Sequence, residues 1–102
     1  MELTITNSAV QFYKNEMNLK NGDTVTLFVR VGGVGSGGFS AGIVIGTPVV
    51  PYFNYDKSGI SFCVTEEDVW YFNDMTIDYN KDMEEVVFQN PKIGDVVNPN
   101  DM

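Results

Sequence analysis

Residues 33–38, Gly33-Val34-Gly35-Ser36-Gly37-Gly38, match the spacing GxGxxG. In a dinucleotide fold such glycines open a helix whose N-terminus binds pyrophosphate. Here the following residues, Phe39–Ile45, alternate as a strand does, so the helix dipole that gives the motif its charge is missing. A glycine loop between strands also occurs in protein kinases, but the HRD and DFG elements are absent. No GK[ST] follows, which excludes a P-loop. What remains is a run of backbone N–H groups at Gly35–Gly38, able to form an anion nest, and the Ser36 hydroxyl. The loop has no Cys, His, Lys, Asp or Glu. Residues 32–46 hold seven of the ten glycines. Ordering so many costs backbone entropy, so positive φ angles or a close approach are expected there. Gly33, Val34, Gly35, Ser36, Gly37 and Gly38 are therefore the candidate ligand-binding loop, beside the alternative of a purely structural turn.

Three further constellations carry some chemistry. Asp78-x-Asn80-x-Asp82 opens like a calcium loop, but Met83 stands where glycine belongs and Gln89 where the bidentate glutamate belongs. Asp78, Asp82, Glu84 and Glu85 are thus weak cation candidates in an acidic turn, and no dedicated metal site is expected. Cys63 is the one cysteine, which excludes an internal disulfide. Its sequence neighbours Glu66, Glu67 and Asp68 oppose thiolate formation, and the chain has no histidine to serve as a base. It reads as a small packing residue. Tyr52, Phe53, Tyr55, Trp70, Tyr71 and Phe72 would suit a base-stacking platform, but such residues more often fill a core. No nucleophile–base pair or paired catalytic acids emerge, so an enzyme is not expected and no cofactor is implied.

Charge narrows the partners. Residues 66–102 hold ten of the 14 acids against only Lys81 and Lys92, so the whole net charge of −8 lies there. Such a surface repels phosphate backbones and anionic membranes, leaving a basic protein patch as the better partner. The start, MELTITNSAV, has no signal-peptide pattern, and no apolar run approaches the roughly 20 residues of a membrane span. A cytoplasmic protein, monomeric or homodimeric, is expected. At 102 residues and 43% hydrophobic, the chain suits one domain with one core.

The elements that would position these residues follow from periodicity. Glu2–Thr6 alternates as a short strand. A helix follows, capped by Thr6, Asn7 or Ser8 and carrying the apolar stripe Val10, Tyr13, Met17 with Ala9 and Phe12; Asn21-Gly22 is expected to stop it. Thr24–Val31 is the clearest strand. The seven-residue link to Phe39–Ile45 is too short for a crossover helix, so the two should pair antiparallel. Gly42 and Gly46 suggest the approach of another backbone, or strong curvature. Pro48 and Pro51 fix an extended segment, and 54–59 reads as a turn. Ile60, Phe62 and Val64 form a strand's apolar face with Cys63 opposite. Thr65 and the acids 66–68 start a short helix ending at Asn73-Asp74. Met75–Tyr79 and Glu85–Gln89 are the last strands, and from Asn90 the chain reads as a frayed tail. The order β–α–β–β–extended–β–α–β–β indicates an α+β fold without regular βαβ units.

TITNSA, the strand VTLFVRV running into GG, GFSAG, TIDY at 76–79 and FQNPK at 88–92 together resemble the HesB/IscA-like iron–sulfur biogenesis domain. GFS-x-G and DVWYF are similar to its YneR-like branch. The resemblance spans roughly residues 1–92. It implies a compact pseudo-barrel of two small, mostly antiparallel sheets with two helices, a domain over 1–92 and a flexible tail over 93–102. In cluster carriers of this family a cysteine sits in the loop after the GG pair and two more form a CxC near the C-terminus. Here the loop position falls at Val34 or Ser36, and IGDVVNPNDM holds no cysteine. The expected function is a non-enzymatic relative that binds a protein or small ligand. The alternatives are an iron or cluster carrier using Cys63 across a dimer or the acidic turn, and an anion-binding module at the glycine loop.

Overall fold

The computed structural model describes residues 1–31 and 39–90. The expected ligand loop at 33–38 and the expected tail at 93–102 lie outside the described residues. Seven strands and two helices follow the order β1 (Leu3–Ile5), α1 (Asn7–Met17), β2 (Thr24–Val31), β3 (Phe39–Ile45), β4 (Tyr52–Lys57), β5 (Ile60–Thr65), α2 (Val69–Phe72), β6 (Met75–Asn80) and β7 (Glu85–Gln89). They build a three-stranded sheet, β1-β6-β7, and a four-stranded sheet, β3-β2-β5-β4. The α+β fold of two small sheets and two helices is as expected. Antiparallel pairs join β2 to β3, β4 to β5 and β6 to β7, while β1 lies parallel to β6 and β2 parallel to β5.

The core lies between the sheets. Ile5 and Ile77 from one, and Val25, Leu27, Phe62 and Val64 from the other, are fully enclosed. Helix α1 bridges them. Its Phe12 ring stacks on Tyr79 of the small sheet at 4.7 Å, and its Tyr13 ring lies 6.5 Å from Phe62 of the large one. Burial of Tyr13 pushes its phenol up to about 12, so it stays neutral throughout the physiological range.

The start of α1 is set by Thr6, whose hydroxyl accepts from the Ala9 N–H at 3.2 Å. The same hydroxyl donates to Asp78 Oδ1 on β6 at 2.7 Å. That bond, with a second from the Tyr79 N–H at 2.8 Å, holds the Asp78 carboxyl below its ordinary range. Its folded pKa is therefore lower than its unfolded one, so its contribution is present above the unfolded pKa and is lost as pH falls through the folded value. Thr6→Ala should cost about 1 kcal/mol through the lost cap. It should also move the Asp78 titration upward, read by carboxylate NMR; an unmoved titration would remove Thr6 from the account.

Four local readings need correction. Helix α1 ends at Met17, not at Asn21-Gly22. Asn18 takes the left-handed conformation (φ 58°), and Leu19 folds back with its N–H on the Lys14 carbonyl. The segment 54–59 is mostly strand: Tyr52–Lys57 pairs with β5, and only Ser58-Gly59 turns. Both turn residues have positive φ (52° and 85°), the requirement of a tight two-residue hairpin. Gly42 faces side chains and not another backbone. A Cβ there would stand 2.4 Å from the tip of the Phe28 ring, which crosses the outer face of the large sheet. Asn90, expected at the start of the frayed tail, is buried.

The link between β3 and β4 also matters. Both are edge strands of the large sheet, and they run parallel to each other. Ile45 ends level with Val25 at one end of the sheet, whereas Tyr52 begins level with Thr65 at the other. Residues 46–51 must therefore cross the sheet diagonally. The outward-facing Thr26 hydroxyl donates to the Gly46 carbonyl at 2.8 Å, which puts the crossing on the outer face. The far end is fixed where Glu66 N–H donates to the Pro51 carbonyl at 3.2 Å. The bond to Gly46 goes with the burial of Thr26 on that face.

Candidate functional site

The end of the large sheet from which residues 32–38 depart is framed by Val31 and Phe39, which are cross-strand partners. Val31 is 84% exposed. Phe39 packs edge-on against Trp70 at 5.3 Å and tilts onto Tyr71 at 6.4 Å. Helix α2 is a single turn, so its aromatic neighbours point in different directions. Tyr71 and Phe72 are core, while Trp70 remains 50% exposed. Of the six aromatics that might have made a platform, Tyr52 and Phe53 are also exposed, but they lie on β4 and not on α2.

Helix α2 is tied in at both ends. Asp68, expected to favour the macrodipole, instead accepts the Val29 N–H on β2 at 3.1 Å; its side chain makes no capping bond. Glu66 and Glu67 lie in the preceding turn and are exposed. At the other end Asn90 Nδ2 donates to the Tyr71 and Asn73 carbonyls at 3.1 and 2.9 Å. The described chain thus resumes at Phe39 against α2 and ends at Asn90, which is bonded to α2. The two segments where the resemblance expects cluster cysteines have their described ends at this one helix.

Cys63 is elsewhere. It sits in the middle of β5 at 1% exposure, between Thr26 on β2 and Asn54 on β4. Its thiol donates to Asn54 Oδ1 at 3.6 Å. Burial, with a further push from the Asp56 carboxylate, raises the thiol above its ordinary value. A metal needs a thiolate with a path to it, and this sulfur has neither. One enclosed thiol does not fit a cluster held by several thiolates.

The acidic turn is also committed locally. Asn80 Oδ1, which a cation would require, accepts from the Asp82 and Met83 N–H groups at 2.9 and 3.1 Å. Asp78 is held by Thr6. Glu84 takes a positive φ of 54° to close the turn into β7. Among the described residues no group of three or more His, Cys, Asp or Glu side chains stands close enough to hold a metal ion.

Sequence reasoning missed an open cleft of about 370 Å³ beside α1, lined by Asn7, Ser8, Gln11, Phe12, Asn15, Tyr79 and Lys81. Its floor is the stacked Phe12–Tyr79 pair and its rim is mostly amide and hydroxyl groups. Helical spacing put Phe12 with the apolar stripe, and only the packing of α1 on β6 shows a cleft there. Among the described residues no helix is long and apolar enough to cross a membrane.

A protein family described as iron-sulphur cluster biosynthesis matches residues 1–94. A Bacillus subtilis (strain 168) protein named pyruvate dehydrogenase inhibitor is 38% identical over 93 residues, covering 87% of this chain and 98% of its own. An uncharacterized Staphylococcus saprophyticus protein is 33% identical over 95 residues, covering 86% of this chain and 97% of its own. Among solved structures, Escherichia coli SufA, involved in biosynthesis of iron-sulfur clusters, superposes with a TM-score of 0.66 at 19% identity. That likeness covers 89% of this chain and 82% of SufA, and at such identity it speaks to the fold alone.

Proposed function

The chain belongs to the iron-sulphur cluster biosynthesis family, and from that premise we propose that it works by binding a protein, not by carrying a cluster. The observation that carries this is the enclosed Cys63, the chain's one sulfur nucleophile, hydrogen-bonded inside a sheet. The loop and tail positions for thiolates hold Val34 or Ser36, and no cysteine after Pro91. The scaffold is kept while the ligand set is not. GFSAG and DVWYF support a place in the YneR-like branch.

The Bacillus subtilis relative, matched over almost its whole length, supports naming the partner class: a pyruvate dehydrogenase, which this chain would inhibit. The contact would be made at the α2 end, by Trp70 and Val31 with the Gly33–Gly38 loop between the strands. Exposed Glu66 and Glu67 beside Trp70 suit a basic patch on the partner. A half-exposed tryptophan that follows two exposed acids in the chain has the composition of an interface anchor.

Titration of the purified chain into the pyruvate dehydrogenase complex of its host tests the reading. Activity should fall to a plateau at near-stoichiometric amounts. Trp70→Ala should weaken that effect by on the order of tenfold or more while leaving the circular dichroism unchanged. Full dehydrogenase activity at a large excess of the chain would remove the proposal. So would anaerobic reconstitution with iron and sulfide that yields a stable brown protein with the two in equal amounts.

A further inference from the structure

The cleft beside α1 takes no part in the function proposed above. Its volume of about 370 Å³ lies at the small end of the range for small-molecule sites. The helix side of it is a row of carboxamides. Asn7, Gln11 and Asn15 stand four residues apart, so they follow one face of α1 at about 6 Å intervals along its axis. All three are exposed. Ser58 Oγ donates to Asn7 Oδ1 at 3.1 Å, which leaves Asn7 its amide N–H groups to offer. Beyond β6 the rim gains the Lys81 ammonium. Such a rim carries far more hydrogen-bond donors than acceptors. No described carboxylate lines the cleft, although the chain has 14 acids. Asp78, next to Tyr79, is bonded to the Thr6 hydroxyl and the Tyr79 N–H. Below this rim the floor is apolar and aromatic, the stacked Phe12–Tyr79 pair.

We propose that this cleft binds a small, flat aromatic molecule carrying one anionic group, the chemistry shared by aromatic carboxylates and nucleoside monophosphates. The floor selects the ring, because an aromatic body gains from ring neighbours beyond the area it buries. The rim selects the sign. A carboxylate or phosphate accepts hydrogen bonds and offers none, so it pairs with amide N–H groups and an ammonium. A cationic ring of the same size would meet Lys81 and find no described carboxylate on the lining. The row of carboxamides runs for two turns, about 12 Å, which leaves room for the ring and its acidic group side by side. None of the residues assigned to the partner contact at α2 takes part, so this proposal and that function fail separately.

Titration of the full, isotope-labelled chain, followed by its backbone and carboxamide NMR signals, decides it. The probes are benzoate, adenosine monophosphate, benzylammonium and inorganic phosphate. Benzoate or adenosine monophosphate should shift the Asn7, Gln11 and Asn15 signals saturably, and the tighter of the two tells which source of the shared chemistry the cleft takes. Benzylammonium, with the charge reversed, and phosphate, without the ring, should each bind about tenfold more weakly or less. Gln11→Glu keeps the shape of an exposed side chain but exchanges its donors for lone pairs, so it should weaken the anionic ring about tenfold with the circular dichroism unchanged. Lys81→Gln should also weaken it, and by more at low salt than at high salt. No saturable shift of these signals with either anionic ring would overturn the proposal. So would benzylammonium or phosphate binding as tightly as the anionic ring, or a Gln11→Glu variant that binds it like wild type.

Discussion

Phe62→Ala should leave most of the chain unfolded under conditions where the wild type is folded. Phe62 lies in the second strand from one edge of the large sheet, flanked by Val25 on β2 and Tyr55 on β4, and its ring is fully enclosed near Tyr13. It therefore joins the sheet, the helix and the space between the two sheets. Removing a buried phenylalanine ring costs about 3–5 kcal/mol, the lost transfer energy plus that of the cavity left behind. A domain of this size has roughly 5–15 kcal/mol in all. Here β5 is fixed by ladders on both sides, so the site cannot collapse easily and the upper part of that range is expected. Urea unfolding followed by far-ultraviolet circular dichroism measures it. The half-exposed Trp70 provides the contrast, because Trp70→Ala should move the midpoint far less. A Phe62→Ala loss under about 1 kcal/mol would mean that the core is not centred where the burial places it.

The sequence made some of this legible for definite physical reasons. Thr24–Val31 alternates without a break because one face meets the core, and the link to Phe39 is too short for anything but antiparallel pairing. Tyr52–Lys57 gave no such signal. It is an edge strand with mostly exposed residues, held by its ladder to β5, so its side chains had no reason to alternate. The end of α1 was misplaced because Gly22 is the usual left-handed residue, whereas Asn18 takes that conformation four residues sooner. Cys63 was read on the correct face, yet its burial between Thr26 on β2 and Asn54 on β4 is a tertiary event that periodicity does not record. The same holds for Trp70, Tyr71 and Phe72. In one helical turn three adjacent aromatics point three ways, and only packing against Phe39 and the core shows that Trp70 is the one left outside. The glycine spacing at 33–38 was conspicuous as a string, but the fold gives that end of the molecule meaning through what surrounds it, namely Val31, Phe39 and α2.

Asn90→Ala should cost about 2–4 kcal/mol, a large effect for a residue that the sequence assigns to a tail. Its amide donates to the Tyr71 and Asn73 carbonyls, which belong to the last turn of α2 and have no helical partner further along. Alanine would leave these carbonyls without that donor in a buried setting, at about 1–3 kcal/mol for each. Asn90→Asp separates the loss of a donor from the loss of bulk. At neutral pH its carboxylate would turn lone pairs toward both carbonyls, so it should be less stable than the alanine variant. Protonation restores a donor, so the folded pKa of the new carboxyl is raised above its unfolded value. Its penalty should therefore be smallest below the unfolded pKa and grow as pH rises through the folded one, opposite in sign to the behaviour of Asp78. Urea unfolding at acidic and neutral pH reads both effects, and Trp70 fluorescence reports whether α2 shifts. An alanine variant within a few tenths of a kcal/mol of wild type would show that α2 is held by its aromatic packing alone. If the larger loss is found, the point at which the chain leaves β7 and the helix carrying the exposed tryptophan are one mechanical unit. A partner gripping Trp70 would then also fix where the chain beyond Asn90 begins.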